Sequence, residues 1–422
     1  MSTPTADAPA HLKGMVALRR VMADSSYRSL FLASTAVMAS QWMQRIALGW
    51  IMWELTGSTT WLGLLALAEL APGLVFGPLG GVLADQNDRR KIITWCQSAL
   101  FLVALLTGLV VFLGWSTPIT LVLLTAAAGI GAAIQESARA LLIRDVTPRD
   151  CLPTGMSMTV ISVNVTRFIG PAIAGPLVIW PGPASIFWIN AVVALIMIAT
   201  VLRLRPIKMS SAAGKAGGFV KQLWTGFKAA SSHSIVTPVL IVFAATAFLV
   251  RPVYELMPAF ADRLFGGDVQ GYSYLVMGVG AGALLGAIIV TLNAPQKPAR
   301  LFFQSSVAAS LALVGFSMTS GIAAATAASM VLGFFMCISA AASQLVMVLD
   351  TEESVSGRVL SFWGALMRGA PALGALFGGG VLDLLGYRVP LAGAGLIAAV
   401  LSVVTLVIFS QRQSSRRSQE AA

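Results

Sequence analysis

Gly81-Val82-Leu83-Ala84-Asp85-Gln86-Asn87-Asp88-Arg89-Arg90-Lys91 sets two acids and three bases between two long apolar runs. Charged side chains are costly in hydrocarbon, so this stretch must lie at a membrane face. Three consecutive bases on one short loop place that face on the cytoplasmic side. Reading outward in both directions, the chain alternates apolar runs with short polar breaks.

The 422 residues are 57% hydrophobic and 11% charged, with a mean hydropathy of +0.83. No soluble domain of this size is so poor in polar surface, and the chain reads as an all-α integral membrane protein. A helix needs about 20 apolar residues to cross roughly 30 Å of hydrocarbon. Such runs lie at 29–53, 60–84, 92–113, 119–143, 153–179 and 184–204, then at 236–258, 272–292, 299–318, 321–348, 359–382 and 389–409. Twelve spans are therefore expected.

A net charge of +11 could point to nucleic acid, but the bases fall where topology would put them. With the N-terminus inside, Arg19, Arg20, Arg28, Arg89, Arg90, Lys91, Arg144, Arg149, Arg203 and Arg205 are cytoplasmic, and only Arg263 and Arg388 are outside. Both termini are then cytoplasmic, in a multi-pass protein of the plasma (inner) membrane. Residues 1–27 show no apolar core followed by a small-residue cleavage site, so insertion through the first span is expected.

The longest polar break divides the chain. The expected layout is a cytoplasmic segment at 1–28, six spans at 29–204, a linker at 205–235, six spans at 236–409 and a tail at 410–422. In the linker, Phe219, Leu223, Trp224 and Phe227 recur at helical spacing beside Lys221 and Lys228, as in an amphipathic helix on the membrane surface. No nucleotide-binding loop, catalytic triad or metal-ligand spacing appears, and Cys96, Cys151 and Cys337 form an odd, scattered set. Neither an enzyme nor a cofactor or metal is expected.

The six-plus-six layout and the 81–91 loop resemble the major facilitator superfamily of secondary transporters. Gly81, Leu83, Ala84, Asp85, Arg89 and Arg90 match that family's loop motif, while Gln86 and Asp88 depart from it. The resemblance implies two six-helix bundles around a central cavity, each built from inverted repeats. It also implies a conformational latch: Gly81 for close helix approach, Asp85 as cap or ion-pair partner, and Arg89, with Arg90, pairing to Asp145. Such a latch would break when the cytoplasmic side opens. The alternative is that these charges only anchor the loop.

Arg167-Phe-Ile-Gly-Pro-Ala-Ile-Ala-Gly-Pro176 looks like the Gly-Pro motif of the antiporter branch, with Gly170 and Pro171 as gating positions. A helix bend without directional meaning remains the alternative. The phrases around Trp50, Arg139 and Arg251 are similar to the exporter branch that includes siderophore exporters.

Ionisable residues inside spans are functional candidates. Arg45 and Glu69 sit at similar depth, given 1.5 Å of rise per residue, and could pair. Protonating Glu69 would then free Arg45, making this the candidate proton-coupling pair; a permanent structural ion pair is the alternative. Arg251 and Glu255, four apart around Pro252, suit an outer gate or local pair. Glu136 and Arg139, three apart, suit local pairing and gating. Arg167 and Arg368 fall at mid-depth in opposite halves, and the resemblance implies that their spans contribute to the cavity, which they would line with Arg45, Glu69 and Trp363. Their guanidinium groups favour an anionic or zwitterionic substrate, unless they only tie helices together.

These residues lead to an expected proton-coupled exporter of an amphipathic small molecule, a drug or siderophore, working by alternating access as a monomer. Its partners would be the substrate, protons and the lipid bilayer, with no nucleic acid. The alternatives are an uptake symporter of an organic anion, a lysolipid flippase, or a membrane sensor that does not transport.

Overall fold

The computed structural model describes residues 14–204, 228, 235–293, 296–351 and 353–420. Nearly all of the 205–235 linker, including its expected amphipathic helix, lies outside the described residues. Among those described there is no strand, and the α-helices are α1 (Gly14–Ala23), α2 (Ser25–Thr56), α3 (Thr59–Gln86), α4 (Arg89–Phe112), α5 (Pro118–Val146), α6 (Leu152–Ile179) and α7 (Ala184–Arg203). The second set is α8 (Val236–Leu249), α9 (Met257–Phe265), α10 (Val269–Asn293), α11 (Pro298–Met318), α12 (Ile322–Leu349), α13 (Glu353–Leu385) and α14 (Arg388–Glu420).

Eleven of the described helices are long and apolar enough to cross a membrane. The expected first span falls on α2, which is long enough at 32 residues but is not among the eleven. Ser34, Thr35, Ser40, Gln41, Gln44 and Arg45 dilute its hydropathy. Ser34 and Ser40 are buried because α2 packs on α3, α5, α6 and α7. A helix enclosed by other helices need not be as apolar as one that faces lipid.

The helices also outrun the apolar runs. α14 continues through most of the expected tail, α13 starts six residues before its apolar run, and α1 occupies part of the expected N-terminal segment. Outside hydrocarbon a helix no longer needs apolar residues, so hydropathy misses its ends. Asp88 helps start α4 by accepting the Arg90 amide at 2.9 Å, and Asp24 caps α2 through the Ser26 and Tyr27 amides.

Small residues set the closest crossings, as expected where lipid supplies no hydrophobic drive between helices. A Cβ at Gly80 of α3 would stand 2.5 Å from the Ile134 carbonyl oxygen of α5. One at Gly63 of α3 would stand 2.5 Å from the Ala375 carbonyl oxygen of α13.

The apolar clusters show how the two helix sets meet. At the end carrying the α2–α3 connection, one cluster draws on both sets, joining Trp50, Trp53 and Leu62 with Phe260, Tyr272 and Ala375. At the opposite end, which carries the 81–91 loop, there are two separate clusters. One contains Tyr27, Leu30, Ile93 and Leu142, the other Phe243, Phe302, Phe303 and Val346. The sets touch along α3/α13 and α6/α10, then part. Gly77 on α3 and Gly364 on α13 have no neighbouring atom within 4 Å of where a Cβ would stand. The molecule is closed at one end and open at the other.

Candidate transport site

Arg45 is the hub of the interior. Its Nε lies 3.2 Å from Glu69 Oε2 on α3, and its Nη2 donates to Glu255 Oε1 at 3.0 Å. The guanidinium also sits 5.2 Å from the Trp42 ring centroid and 5.6 Å from that of Tyr254. Glu69 belongs to the first helix set and Glu255 to the second, so one cation ties the two together at the base of the opening. Glu255 is the less accessible carboxylate, with its side chain 12% exposed against 39% for Glu69.

The expected local pair of Arg251 and Glu255 is absent. After Leu249 the chain tightens into a 3₁₀ turn, Arg251–Tyr254, that contains Pro252. Positions four apart are about 40° apart around an α-helix but about 120° apart around a 3₁₀ helix. Glu255 therefore turns to Arg45, while Arg251 donates to the Met336 carbonyl at 3.3 Å and lies over Phe243 at 5.5 Å.

Glu136 likewise bypasses Arg139, and its partner is Arg368 of α13, with Nη2 to Oε1 at 3.0 Å. Facing helices bring these groups together across the opening. The pair borders a cavity of about 490 Å³ between α3, α5 and α13, lined also by Gly77, Ser137, Ser361 and Gly364. Arg139 lines a smaller cavity of about 230 Å³ with Gln41, Trp42, Arg45, Glu69 and Thr166, and its Nη1 is buried without a hydrogen-bond partner. Beside it, Gln44, Gln97, Thr125 and Asn190 line a cavity of about 190 Å³ inside the first helix set.

Arg368 is thus engaged by Glu136, whereas Arg167 has no carboxylate within 4.0 Å among the described residues. Trp363 was expected on the cavity wall; instead its Nε1 donates to Ser343 Oγ at 3.0 Å and its ring stacks on Phe243 at 5.5 Å. The Ser343 hydroxyl at its edge and the Phe243 ring on its face hold it within the second set. The Glu136–Arg368 pair is half exposed, and such pairs contribute about 0–1 kcal/mol. Arg368→Gln should therefore lower the unfolding free energy by less than about 1 kcal/mol, and a denaturant or thermal melt against Glu136→Gln checks this.

In the 81–91 loop, Arg89 pairs with Asp145 and also donates to the Ala84 carbonyl at 3.3 Å. Arg90 donates to the Val201 and Leu202 carbonyls at 3.3 Å each, closing the end of α7. Two expected roles shift. Asp85 stands exposed at the C-terminal end of α3 with no ion pair among the described residues, and Asp88, at an N-terminus where amides need an acceptor, does the capping. The tight approach to α5 is made by Gly80, because Gly81 faces Ser137 at an ordinary 3.9 Å. All these contacts join parts of the first helix set, and the Arg89–Asp145 pair stands intact at the open end.

Gly170 packs against Trp42 and Ala39 of α2, with Pro171 buried beside it in an unbroken α6. α6 meets the second set on either side of this point: a Cβ at Gly280 of α10 would stand 2.9 Å from the Arg167 carbonyl oxygen, and one at Gly175 would stand 2.6 Å from Ser273 Oγ of α10.

The closed end holds a cluster that sequence reasoning missed. Asp383 of α13 accepts the Thr59 and Thr60 amides at 2.9 and 3.0 Å and the Ser58 and Thr60 hydroxyls at 2.7 and 2.8 Å. The Thr59 hydroxyl lies 2.6 Å from both Asp383 Oδ1 and the Gly379 carbonyl. Ser58 itself makes no side-chain cap to α3, so a carboxylate from the other helix set caps that helix. Trp53 Nε1, donating to Asp262 Oδ2 at 3.1 Å, adds a second bridge. The only sequence signal was a lone acid near the end of an apolar run and a Ser-Thr-Thr helix start.

Comparison with known proteins agrees with this geometry. The chain is 23% identical to macrolide efflux protein A of Streptococcus pyogenes, over 86% of this chain and 91% of that one. It is 23% identical to the enterobactin exporter EntS of Escherichia coli, over 93% and 94%. A crystal structure of a POT family transporter bound to a thioalcohol-conjugated peptide superimposes with a TM-score of 0.73 at 12% identity, covering 92% of this chain and 96% of that one. Residues 20–421 match the model of the transmembrane secretion effector family, and the chain belongs to that family of major facilitator transporters.

Proposed function

We propose that this protein is a proton-coupled exporter of amphipathic small molecules, held here in its inward-open state. The observation that carries this is Arg45 shared between Glu69 of one helix set and Glu255 of the other. Relatives of full length that move macrolides and enterobactin outward support the direction and the substrate type. The bases of the 81–91 loop support an orientation with the open end and both termini in the cytoplasm. On this reading α2 is the twelfth span, the halves at 29–204 and 236–409 rock against each other, and a single chain is the working unit.

The coupling follows from charge burial. With both carboxylates ionised and no substrate bound, the Arg45–Glu255 tie holds the outer end shut, since separating it would leave buried charges unpaired. Substrate that takes up Arg45 donors weakens the tie and lets the outer end open. A proton from outside then neutralises Glu255, which can be buried again at little cost as the halves close. Loss of that proton into the inner cavity restores the pair, so each cycle moves protons inward and substrate outward.

The test is flux in proteoliposomes under an imposed pH gradient, using a neutral dye such as Nile red and a catecholate siderophore. Gradient-driven flux should be present in the native protein and lost in Glu255→Gln and Glu69→Gln. Flux that ignores the gradient, or keeps its full dependence in both variants, would remove proton coupling through this cluster.

A further inference from the structure

Besides Arg139, two half-buried cations near the path have no carboxylate partner among the described residues. Arg167 of α6 and Arg251 of the 3₁₀ turn have no carboxylate within 4.0 Å among the described residues. Arg167 Nε is buried with no hydrogen-bond partner, and its guanidinium lies 5.4 Å from the Trp42 ring centroid. The guanidinium of Arg251 meets the Met336 carbonyl and the Phe243 ring. Arg251 and Tyr254, three apart in the 3₁₀ turn, fall on one face of it, and Tyr254 meets the same Trp42 ring that lies beside Arg167. Tyr254 Oη is a second buried polar atom there without a partner. The acid that could have neutralised Arg251, Glu255, is committed to Arg45.

Buried like charges without counter-ions are unfavourable, and buried polar atoms are normally satisfied. This arrangement fits an anion that comes and goes. Arg167 belongs to the first helix set and Arg251 to the second, so such an anion would touch both halves. Trp42 and Tyr254, edge to face at 5.8 Å, give it aromatic walls. Guanidinium forks match the two oxygens of a carboxylate.

Resting on the exporter reading, we infer that Arg167, Arg251 and the Tyr254 hydroxyl form a binding site for a carboxylate carried on an aromatic group of the substrate. It replaces the Arg167 and Arg368 combination expected from depth along the spans, because Arg368 is already neutralised by Glu136. Anion binding would draw the two halves together at mid-depth, where the α6/α10 crossing brings Gly280 against the Arg167 backbone.

The test uses purified full-length protein in nanodiscs with benzoate, its neutral match benzamide, and a sodium chloride background that supplies the small-anion competitor. Binding is followed by tryptophan quenching and thermal stability. Benzoate should bind at least tenfold more tightly than benzamide. Arg167→Gln and Arg251→Gln should each erase that preference by weakening benzoate binding at least tenfold. Both variants should melt no lower than the native protein without ligand, since each removes an uncompensated half-buried charge. Equal binding of benzoate and benzamide, a preference that survives both substitutions, or a large loss of stability in both would overturn the site. Proton-driven Nile red export without a benzoate preference would sink this inference alone; a benzoate preference without any driven export would sink the exporter reading alone.

Discussion

Arg45→Gln should give the largest loss of any single substitution in this chain, abolishing gradient-driven export and destabilising the protein by about 3–5 kcal/mol, the usual cost of stranding one side of a buried ion pair. The sign of its pH dependence is specific. With Arg45 gone, Glu69 and Glu255 repel each other across the helix sets, and protonation of either relieves the repulsion. The melting temperature of the variant should therefore rise toward the native value as pH falls. Adding Glu255→Gln to Arg45→Gln should recover most of the stability without recovering driven transport. Thermal melts across a pH series, on the single and double variants, provide the measurement. A single variant as stable as the native protein at neutral pH would mean that the Arg45 contacts contribute nothing to closure.

Asp383→Ala should shift the protein toward the state open at its other end. Its carboxylate satisfies the first amides of α3 from across the boundary between helix sets, and loss of a helix cap costs about 0.5–2 kcal/mol. Because about 1.4 kcal/mol is tenfold in an equilibrium, a several-fold to tenfold rise in the population with this end open is expected. Asp383→Asn should do part of this, because its amide nitrogen takes the place of one carboxylate oxygen and faces the amide of either Thr59 or Thr60, while its carbonyl oxygen still accepts the other. Spin labels at Trp115 and Val389, both exposed at this end on opposite helix sets, would read the change, with the three cysteines replaced by serine. A longer-distance population growing in both variants is the expected outcome. Unchanged distances would assign closure to the apolar cluster of Trp50, Phe260 and Tyr272 instead.

These two sites show different degrees of legibility. The Arg45–Glu69 contact could be reached from depth alone, since both residues lie a similar number of turns from one short connection. Glu255 could not be placed by the same reasoning. Its orientation depends on the 3₁₀ turn at Pro252, and its partner lies 210 residues away in sequence. The Asp383 cap, more than 320 residues from the amides it satisfies, left almost no local signal. At the 81–91 loop the pairing of Arg89 with Asp145 was readable. The exchange of roles between Asp85 and Asp88, and between Gly81 and Gly80, was not, because each turns on which side of a helix end a residue occupies.

By itself the sequence determined the all-α membrane class, the positions of the long helices, the family and the sites where charge enters the interior. All of these follow from local quantities: the length and hydropathy of a run, and the cost of placing a charge in hydrocarbon. Only the tertiary structure decided which charges meet. Depth along a helix can be counted from sequence, but azimuth and facing partner cannot. Glu136 therefore found Arg368, Glu255 found Arg45, and Arg167 and Arg251 were left with no acid among the described residues, because the packing of α3 on α13 and of α6 on α10 sets those angles.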